Sequence, residues 1–406
     1  MRLMFLTLLD FDTFSERNIY TDLLREFTKN GHEVYCISPV ERRRGVKTHF
    51  EEHGHLLKLR IGNTQKTNII EKGISTLLIE PMFKSALKKY FSDIKFDLVL
   101  YSTPPITLKS SVEFIKKRDG AKSYLMLKDI FPQNAVDIGM MSKSGVKGLL
   151  YKFFRNKEKR LYSLSDYIGC MSAANMDYLL SHNPEITADS VGLCPNSIEP
   201  VDMSLSQYEI NQMRIHYGIP LNKKVFVYGG NLGKPQGISY IIECLRSQKN
   251  NPDVFFLIVG DGTEYDKLSD FVEDEKPLNV KLINRLPKDD YDKMIAACDV
   301  GMIFLDHRFT IPNFPSRLLS YMQARLPVFA VTDTNTDIGK IVEDGDFGWW
   351  CESNDVTKFS ELITEIASKD ITEYKKNSWE YLCDNFSVSR VYSDYLKPIL
   401  YRFYNN

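Results

Sequence analysis

The sequence predicts an α/β protein built from two Rossmann-like domains. Three observations carry this. Short β-branched and aromatic runs alternate with amphipathic stretches along the chain, the signature of parallel sheets covered by helices. The chain is 406 residues, long for one hydrophobic core. A strand, glycine turn and helix start, VFVYGGNLGKPQG at 225–237, lies in mid-chain, so it opens a second domain.

In the first block the runs predict strands at Arg2–Leu8, Glu33–Ser38, Asp97–Tyr101, Lys122–Leu127, Tyr167–Met171 and Ser190–Cys194. Helical patterns fall between them at Ile19–Thr28, Ser110–Lys117, Gly148–Leu161 and Ala173–Leu180. Gly31 suits the left-handed position that closes the first helix, and His32 beside it reads as a capping or packing residue. The seam falls at Cys194-Pro195-Asn196-Ser197 onward, giving domains 1–200 and 201–386. The second block repeats the rhythm: strands Lys224–Tyr228, Val254–Val259, Val280–Ile283, Val300–Phe304 and Val328–Val331, with a helix at Lys288–Ala297. A last aromatic-rich helical stretch, 387–406, presents Val391, Tyr392, Tyr395 and Ile399 for packing back on the first domain, with Pro398 as a kink point.

Composition narrows the class. The 43% hydrophobic and 26% charged content is that of a soluble globular chain. Net charge is −1, from 52 basic and 53 acidic residues, with no basic excess to bind nucleic acid. The first 200 residues carry a surplus of basic groups and the rest a surplus of acidic ones, either an ordinary fluctuation or a basic half facing an anionic acceptor. The seven cysteines are scattered with no C-x-x-C, which fits a reducing cytoplasm. The start, MRLMFLTLLD, reads as a strand, and no apolar stretch reaches the ~20 residues of a membrane span. Membrane contact is therefore expected to be peripheral.

The mid-chain turn points to phosphate. Gly229, Gly230 and Gly233 let the backbone approach a ligand, free N–H groups and a helix start gather there, and Lys234 adds charge. An ordinary strand–helix turn is the alternative. Gly260-Asp261-Gly262 follows another strand and is either a bare loop or part of the same pocket. Asp129 follows the strand Lys122–Leu127, at the end where ligands gather in open parallel sheets; it is either a sugar contact near the reacting carbon or a helix cap before Pro132. His49, His53 and His55 match no standard zinc spacing and read as solvated histidines. Arg42-Arg43-Arg44 is a solvated loop or a contact for a lipid diphosphate. The segments 75–90 and 151–157 mix apolar, aromatic and basic residues, as interfacial helices do, and equally as core-facing helices with charged outer faces do.

An ordered set of motifs resembles one family. GHEV, SDYIGCMS, PNS, GGNLGKPQG, FFLIVGDGTEYDKL, LPKDDYDKMIAACDVGMIFL and FPSRLLSYMQARLPVFA occur in that order across residues 1–400. Together they are similar to the GT-B glycosyltransferases of family four, in the bacterial capsule and O-antigen branch that includes N-acetyl-fucosamine transferases. The resemblance implies two Rossmann-like domains facing a cleft, the second binding a nucleotide-sugar and the first the acceptor, with the last helix crossing back to the first domain. It implies a retaining reaction without a metal or other cofactor. Lys234 and Arg317 would neutralise the leaving diphosphate, with Asp129 near the reacting carbon. Arg317, in Pro315-Ser316-Arg317 at a helix start, would offer a guanidinium fork.

The remaining site residues follow from the same resemblance. Gly230, Asn231, Gly233, Gln236, Gly260, Asp261, Gly262, Asn313, Phe314, Ser316 and Ser320 would line the donor pocket, Arg285 and Leu286 would read the base, and Arg17 and Asn18 would face the acceptor. Departures from the family pattern are definite. Asn231 and Gln236 stand where the family commonly has Arg and Lys, Lys234 is displaced by two, and Pro312 and Ser320 replace a glutamate pair. The expected function is transfer of a sugar from a UDP-sugar to a lipid-linked saccharide, on the inner face of a bacterial membrane, by a cytoplasmic, peripherally associated enzyme. The alternatives are a sugar-nucleotide 2-epimerase on the same fold and an inactive nucleotide-sugar-binding protein.

Overall fold

The computed structural model describes all residues except 65, 66, 105 and 406, and the side chains of all of these except 69, 70 and 405. The chain forms two compact units, Met1–Glu199 with Val388–Asn406, and Pro200–Ser387.

The first unit holds an eight-stranded sheet. Its strands are β1 (Arg2–Leu6), β2 (Glu33–Glu41), β3 (His49–Glu51), β4 (Leu56–Ile61), β5 (Leu98–Thr103), β6 (Lys122–Leu127), β7 (Tyr167–Cys170) and β8 (Val191–Leu193). They lie in the order β3-β4-β2-β1-β5-β6-β7-β8, all parallel except the β3–β4 pair. Order reverses beside β1, as in a doubly wound sheet. The hairpin partners β3 and β4 were not expected; β3 is only three residues, and its histidines hide the alternation that marks a strand. The helix Ile69–Tyr90 runs unbroken through Pro81. Gly31 has φ +79°, as a helix-closing glycine should. His32 packs, as read: its Nε2 lies 2.6 Å from the Tyr392 hydroxyl. Val388, Val391, Tyr392, Leu396 and Leu400 join Leu3, Phe5, Leu24 and Phe27 in one buried cluster, so the last segment is part of this unit's core.

The second unit holds six parallel strands: β9 (Lys224–Asn231), β10 (Val254–Asp261), β11 (Val280–Ile283), β12 (Val300–Phe304), β13 (Val328–Thr332) and β14 (Gly348–Glu352). The order is β11-β10-β9-β12-β13-β14, the 3-2-1-4-5-6 arrangement of a dinucleotide-binding sheet. Strand β14 was missed because glycine and two tryptophans interrupt the aliphatic pattern. The helix Ile238–Ser247 buries Ile238, Ile241, Cys244 and Leu245 at helical spacing. Each such aliphatic burial contributes about 2 kcal/mol.

Two strands approach closely where the site forms. In the β9–β10 register Gly260 faces Gly230, and a Cβ on Gly260 would lie 1.8 Å from the Gly230 carbonyl oxygen. That contact is backbone and has no flexible end to move. Gly260→Ala is expected to destabilise the second unit by about 2 kcal/mol or more. Chemical denaturation followed by tryptophan fluorescence measures it; an unshifted midpoint would contradict the packing described.

Candidate functional site

A pocket of about 530 Å³ opens at the carboxyl ends of β9 and β10. It is lined by Gly229, Gly230, Asn231, Val259 and Gly260 from the strands, by Arg285, Leu286, Lys288 and Tyr291 after β11, and by Pro315, Ser316, Arg317 and Ser320. Four separate chain segments, each leaving one parallel sheet at the same edge, supply these groups. This is where doubly wound sheets bind ligands.

Arg317 dominates the pocket. Its guanidinium carbon stands 4.5 Å from the centroid of the Tyr228 ring. The Tyr228 hydroxyl donates to the Asn231 carbonyl at 2.8 Å, which fixes that ring. Gly230, at φ +134°, lies under the guanidinium; a Cβ there would meet its Cζ at 3.3 Å. Burial opposes the arginine's charge, but the Tyr228, Tyr321 and Tyr291 side chains more than offset it, and its pKa is raised. Nη1 is buried without a hydrogen-bond partner among the described residues. A buried donor of that kind carries a cost that an anionic acceptor would remove.

Tyrosines build the wall behind it. The Gly229 N–H donates to the Tyr321 hydroxyl at 3.0 Å. A Cβ on Gly229 would sit 1.9 Å from the Tyr291 hydroxyl. Burial pushes the Tyr321 phenol up to about 12, so it stays protonated. Tyr228, Tyr291 and Tyr321 carry no signal in the sequence beyond strand and helix periodicity; only packing against the glycines brings them to the site.

The glycine turn itself differs from expectation. Its N–H groups are used internally: Leu232 N donates to Asp261 O at 2.9 Å, Gln236 N to Gly233 O at 3.0 Å, and Gly237 N to Lys234 O at 3.0 Å. The Gly233 N–H goes to Gln236 Oε1 at 3.2 Å, which also accepts from Asn231 Nδ2 at 2.9 Å. Gln236 is buried and organises the turn instead of facing a ligand. A short 3-10 turn, Lys234–Gln236, intervenes before the helix. Lys234 is exposed on that turn and does not line the pocket. Gly233, Asp261 and Gly262 also lie outside the lining; a Cβ on Gly262 would sit 2.3 Å from Leu232 O, so its role is strand approach. Asn313 and Phe314 are likewise not in the lining. The Asn313 carbonyl accepts from Thr336 Oγ1 at 2.6 Å, and its Nδ2 is buried without a partner among the described residues. The helix after Ser316 is only Arg317–Gln323, so the guanidinium, not a long helix dipole, supplies the positive charge.

In the first unit the candidates fall on two loops. Asn18 caps the helix Ile19–Lys29, accepting from Tyr20 N and Thr21 N, so its side-chain carbonyl is engaged locally. Arg17 donates to the Glu199 carbonyl at 2.6 Å. Asp129 accepts from Asn134 Nδ2 at 2.9 Å on each oxygen. Burial raises its pKa to about 6, with the Ile130 N–H and Asn134 working in the other direction. The arginine triplet is paired: Arg42 with Glu71 at 2.6 Å, Arg43 with Glu41 at 2.8 Å and Arg44 with Asp10 at 2.6 Å, which favours the solvated-loop reading. Among the described residues no group of three or more His, Cys, Asp and Glu is placed to hold a metal. Likewise, no helix is long and apolar enough to cross a membrane.

Comparison with known proteins agrees with this geometry. Residues 209–380 match the family described as Glycosyl transferases group 1. That match falls within the second unit, Pro200–Ser387. The chain is 26% identical over 329 residues to a Pseudomonas aeruginosa protein described as "Probable glycosyltransferase WbjE", covering 80% of this chain and 79% of that one. Among solved structures, HepE of Anabaena in complex with UDP superposes with a TM-score of 0.67 at 14% identity, over 99% of this chain and 100% of that one. WaaG, a glycosyltransferase involved in lipopolysaccharide biosynthesis, gives 0.65 at 14% identity, over 96% and 97%. The fold is thus the two-domain GT-B fold of such enzymes.

The raised pKa of Asp129 has a pH signature. A carboxyl whose folded pKa lies above its unfolded value costs stability once ionised. The cost is absent below about pH 4, where both states are protonated, grows toward pH 6 and is constant above. Relative to Asp129→Asn, the wild-type protein is expected to lose about 3 kcal/mol across that window. Denaturation of both proteins at pH 4, 5, 6 and 8 measures the difference; a pH-independent gap would contradict it.

Proposed function

We propose that this protein is a retaining, metal-independent glycosyltransferase of bacterial capsule or O-antigen synthesis. It moves a sugar of the N-acetylated hexosamine class, such as N-acetyl-fucosamine, from a UDP-sugar to a lipid-linked saccharide. One observation carries the reading. Arg317 lies half-buried beside a pocket that ends two adjacent strands, with a buried guanidinium nitrogen unpartnered among the described residues and a glycine beneath it. A diphosphate fits those requirements of charge and close backbone approach. HepE's complex with UDP and WaaG's involvement in lipopolysaccharide biosynthesis support the choice of donor and pathway.

In this reading the bond from the anomeric carbon to the β-phosphate oxygen breaks while the acceptor hydroxyl forms its bond on the same face of the sugar. The acceptor proton passes to the departing phosphate. Arg317 stabilises the charge that builds on that phosphate, and Arg285 stacks on the base through its planar guanidinium. Ser320 lines the pocket where the family's glutamate would hold the ribose, and it offers a single hydroxyl. Asp129 and Arg17 serve the acceptor from the first unit. The enzyme works in the cytoplasm at the inner membrane surface.

Titration calorimetry with UDP and a panel of UDP-sugars tests the donor. Arg317→Ala is expected to weaken UDP binding by about tenfold to a hundredfold, the worth of a hydrogen bond to a charged group. Ser320→Ala should cost less than about fivefold. UDP release should require a lipid-acceptor extract and survive chelation. Release or epimerisation without acceptor would point to the epimerase instead, and equal binding by Arg317→Ala would remove the basis of the proposal.

A further inference from the structure

The first unit carries an unpartnered amphipathic face. The helix Gly145–Leu164 buries Gly148, Glu158, Leu161 and Tyr162. On its outer side Val146, Leu149, Leu150 and Phe153 are 86%, 69%, 48% and 47% exposed. Their spacing of i, i+3, i+4 and i+7 sets them on one stripe. Met140, just ahead of the helix, is 60% exposed. Isolated exposed leucines are ordinary, but a contiguous apolar stripe marks a surface that something covers.

Charge identifies what covers it. No Asp or Glu occurs from residue 138 to 157, while Lys143, Lys147 and Lys152 are all exposed. By helical periodicity Lys147 and Lys152 flank the stripe on opposite sides. The ion pairs of this helix use Arg155, Lys157 and Lys159, which leaves Lys147 and Lys152 without one among the described residues. A second copy meeting this face about a two-fold axis would bring the same lysines against each other. Protein interfaces are also depleted in lysine, whereas bilayer-surface helices are rich in it beside an apolar stripe.

We infer that the stripe Val146–Phe153, rimmed by Lys147 and Lys152, is a docking surface for an anionic phospholipid bilayer. The apolar side chains enter the headgroup boundary and the lysines meet lipid phosphates. A second helix adds to the case: on Ile69–Tyr90, Ile74 and Leu77 are 56% and 57% exposed, and Glu80 of that helix pairs with Lys157 at 3.3 Å. The same connection that follows β6 begins with Asp129, so a docked helix holds that loop near a lipid-borne acceptor. The surface deepens the proposed function and takes its lipid-linked acceptor from that reading.

Co-sedimentation of the full chain with vesicles of phosphatidylethanolamine and phosphatidylglycerol tests this, with phosphatidylcholine vesicles as the neutral arm. Binding is expected on the anionic vesicles, weaker on the neutral ones, and falling with salt. Leu149→Glu with Phe153→Glu should weaken it by about tenfold or more, and Lys147→Glu with Lys152→Glu by a similar factor, since each lysine near an anionic surface is worth about fivefold. UDP titration of both variants should be unchanged, because the substitutions lie outside the second unit. No preference for anionic vesicles, or full binding by either variant, overturns the inference. So does a dimer in sedimentation velocity that the Leu149→Glu, Phe153→Glu variant abolishes while vesicle binding persists. Vesicle binding by a wild-type protein that binds no UDP would instead sink the donor reading and leave the docking surface standing.

Discussion

A guanidinium laid against a phenol ring governs the second unit's pocket. Arg317 reaches that position because Gly230 has no side chain to block it and because Tyr228 is held by the Asn231 carbonyl. The same arrangement leaves Nη1 buried without a partner among the described residues, which carries a cost that an acceptor would remove. The tyrosine wall has a second effect. Tyr291 fills the space that a side chain on Gly229 would otherwise occupy, as Arg317 does for Gly230. Positive charge, close backbone approach and an apolar backing wall thus come from one packing solution.

The first unit solves a different problem, holding long loops at the end of its sheet. Lys58, 1% exposed, reaches from β4 to pair with Asp12 at 3.1 Å and to donate to the Phe11 carbonyl at 2.6 Å, pinning the loop after β1. Glu199 gathers Lys29 at 2.8 Å, Arg25 at 3.4 Å and, through its carbonyl, Arg17. Removing one member of such a set would leave a buried or half-buried charge unmatched. The final segment, 388–406, completes the core under the same loops, with Val388 N donating to Ile198 O at 2.8 Å. Loop order here rests on charge pairs and on chain that arrives from nearly 190 residues away in sequence.

Most of the strand–helix rhythm was legible because parallel strands buried on both faces read as continuous apolar runs. The runs at Lys122–Leu127, Val280–Ile283 and Val300–Phe304 coincide with strands end to end. Two of the misses share a cause: β3 and β14 lack the aliphatic pattern, one being short and histidine-bearing, the other led by glycine and tryptophan, whereas β4, LLKLRI, was missed although it is aliphatic. At the site, Gly230, Asn231, Gly260, Arg285, Leu286, Ser316, Arg317 and Ser320 line the pocket as the family resemblance implied, the first six at strand ends or in turns and the last two on the helix Arg317–Gln323. Lys234 and Gln236 could not be sorted the same way. A turn of six residues contains several polar side chains, and spacing alone does not say which one bonds to its own backbone.

By itself the sequence determined the fold class, two α/β units with Rossmann-like sheets, because periodicity and glycine placement are local and survive without knowledge of partners. It also marked the strand end at Gly229-Gly230 as a place of close approach. Tertiary structure alone decided which cation stands over that place, which tyrosines wall it, and which helix face is left exposed. Those outcomes depend on the order of strands in the sheet and on contacts between residues dozens of positions apart, such as Gly229 with Tyr321 and Glu80 with Lys157. No local pattern encodes a distance of that kind; it exists only once the sheets have formed.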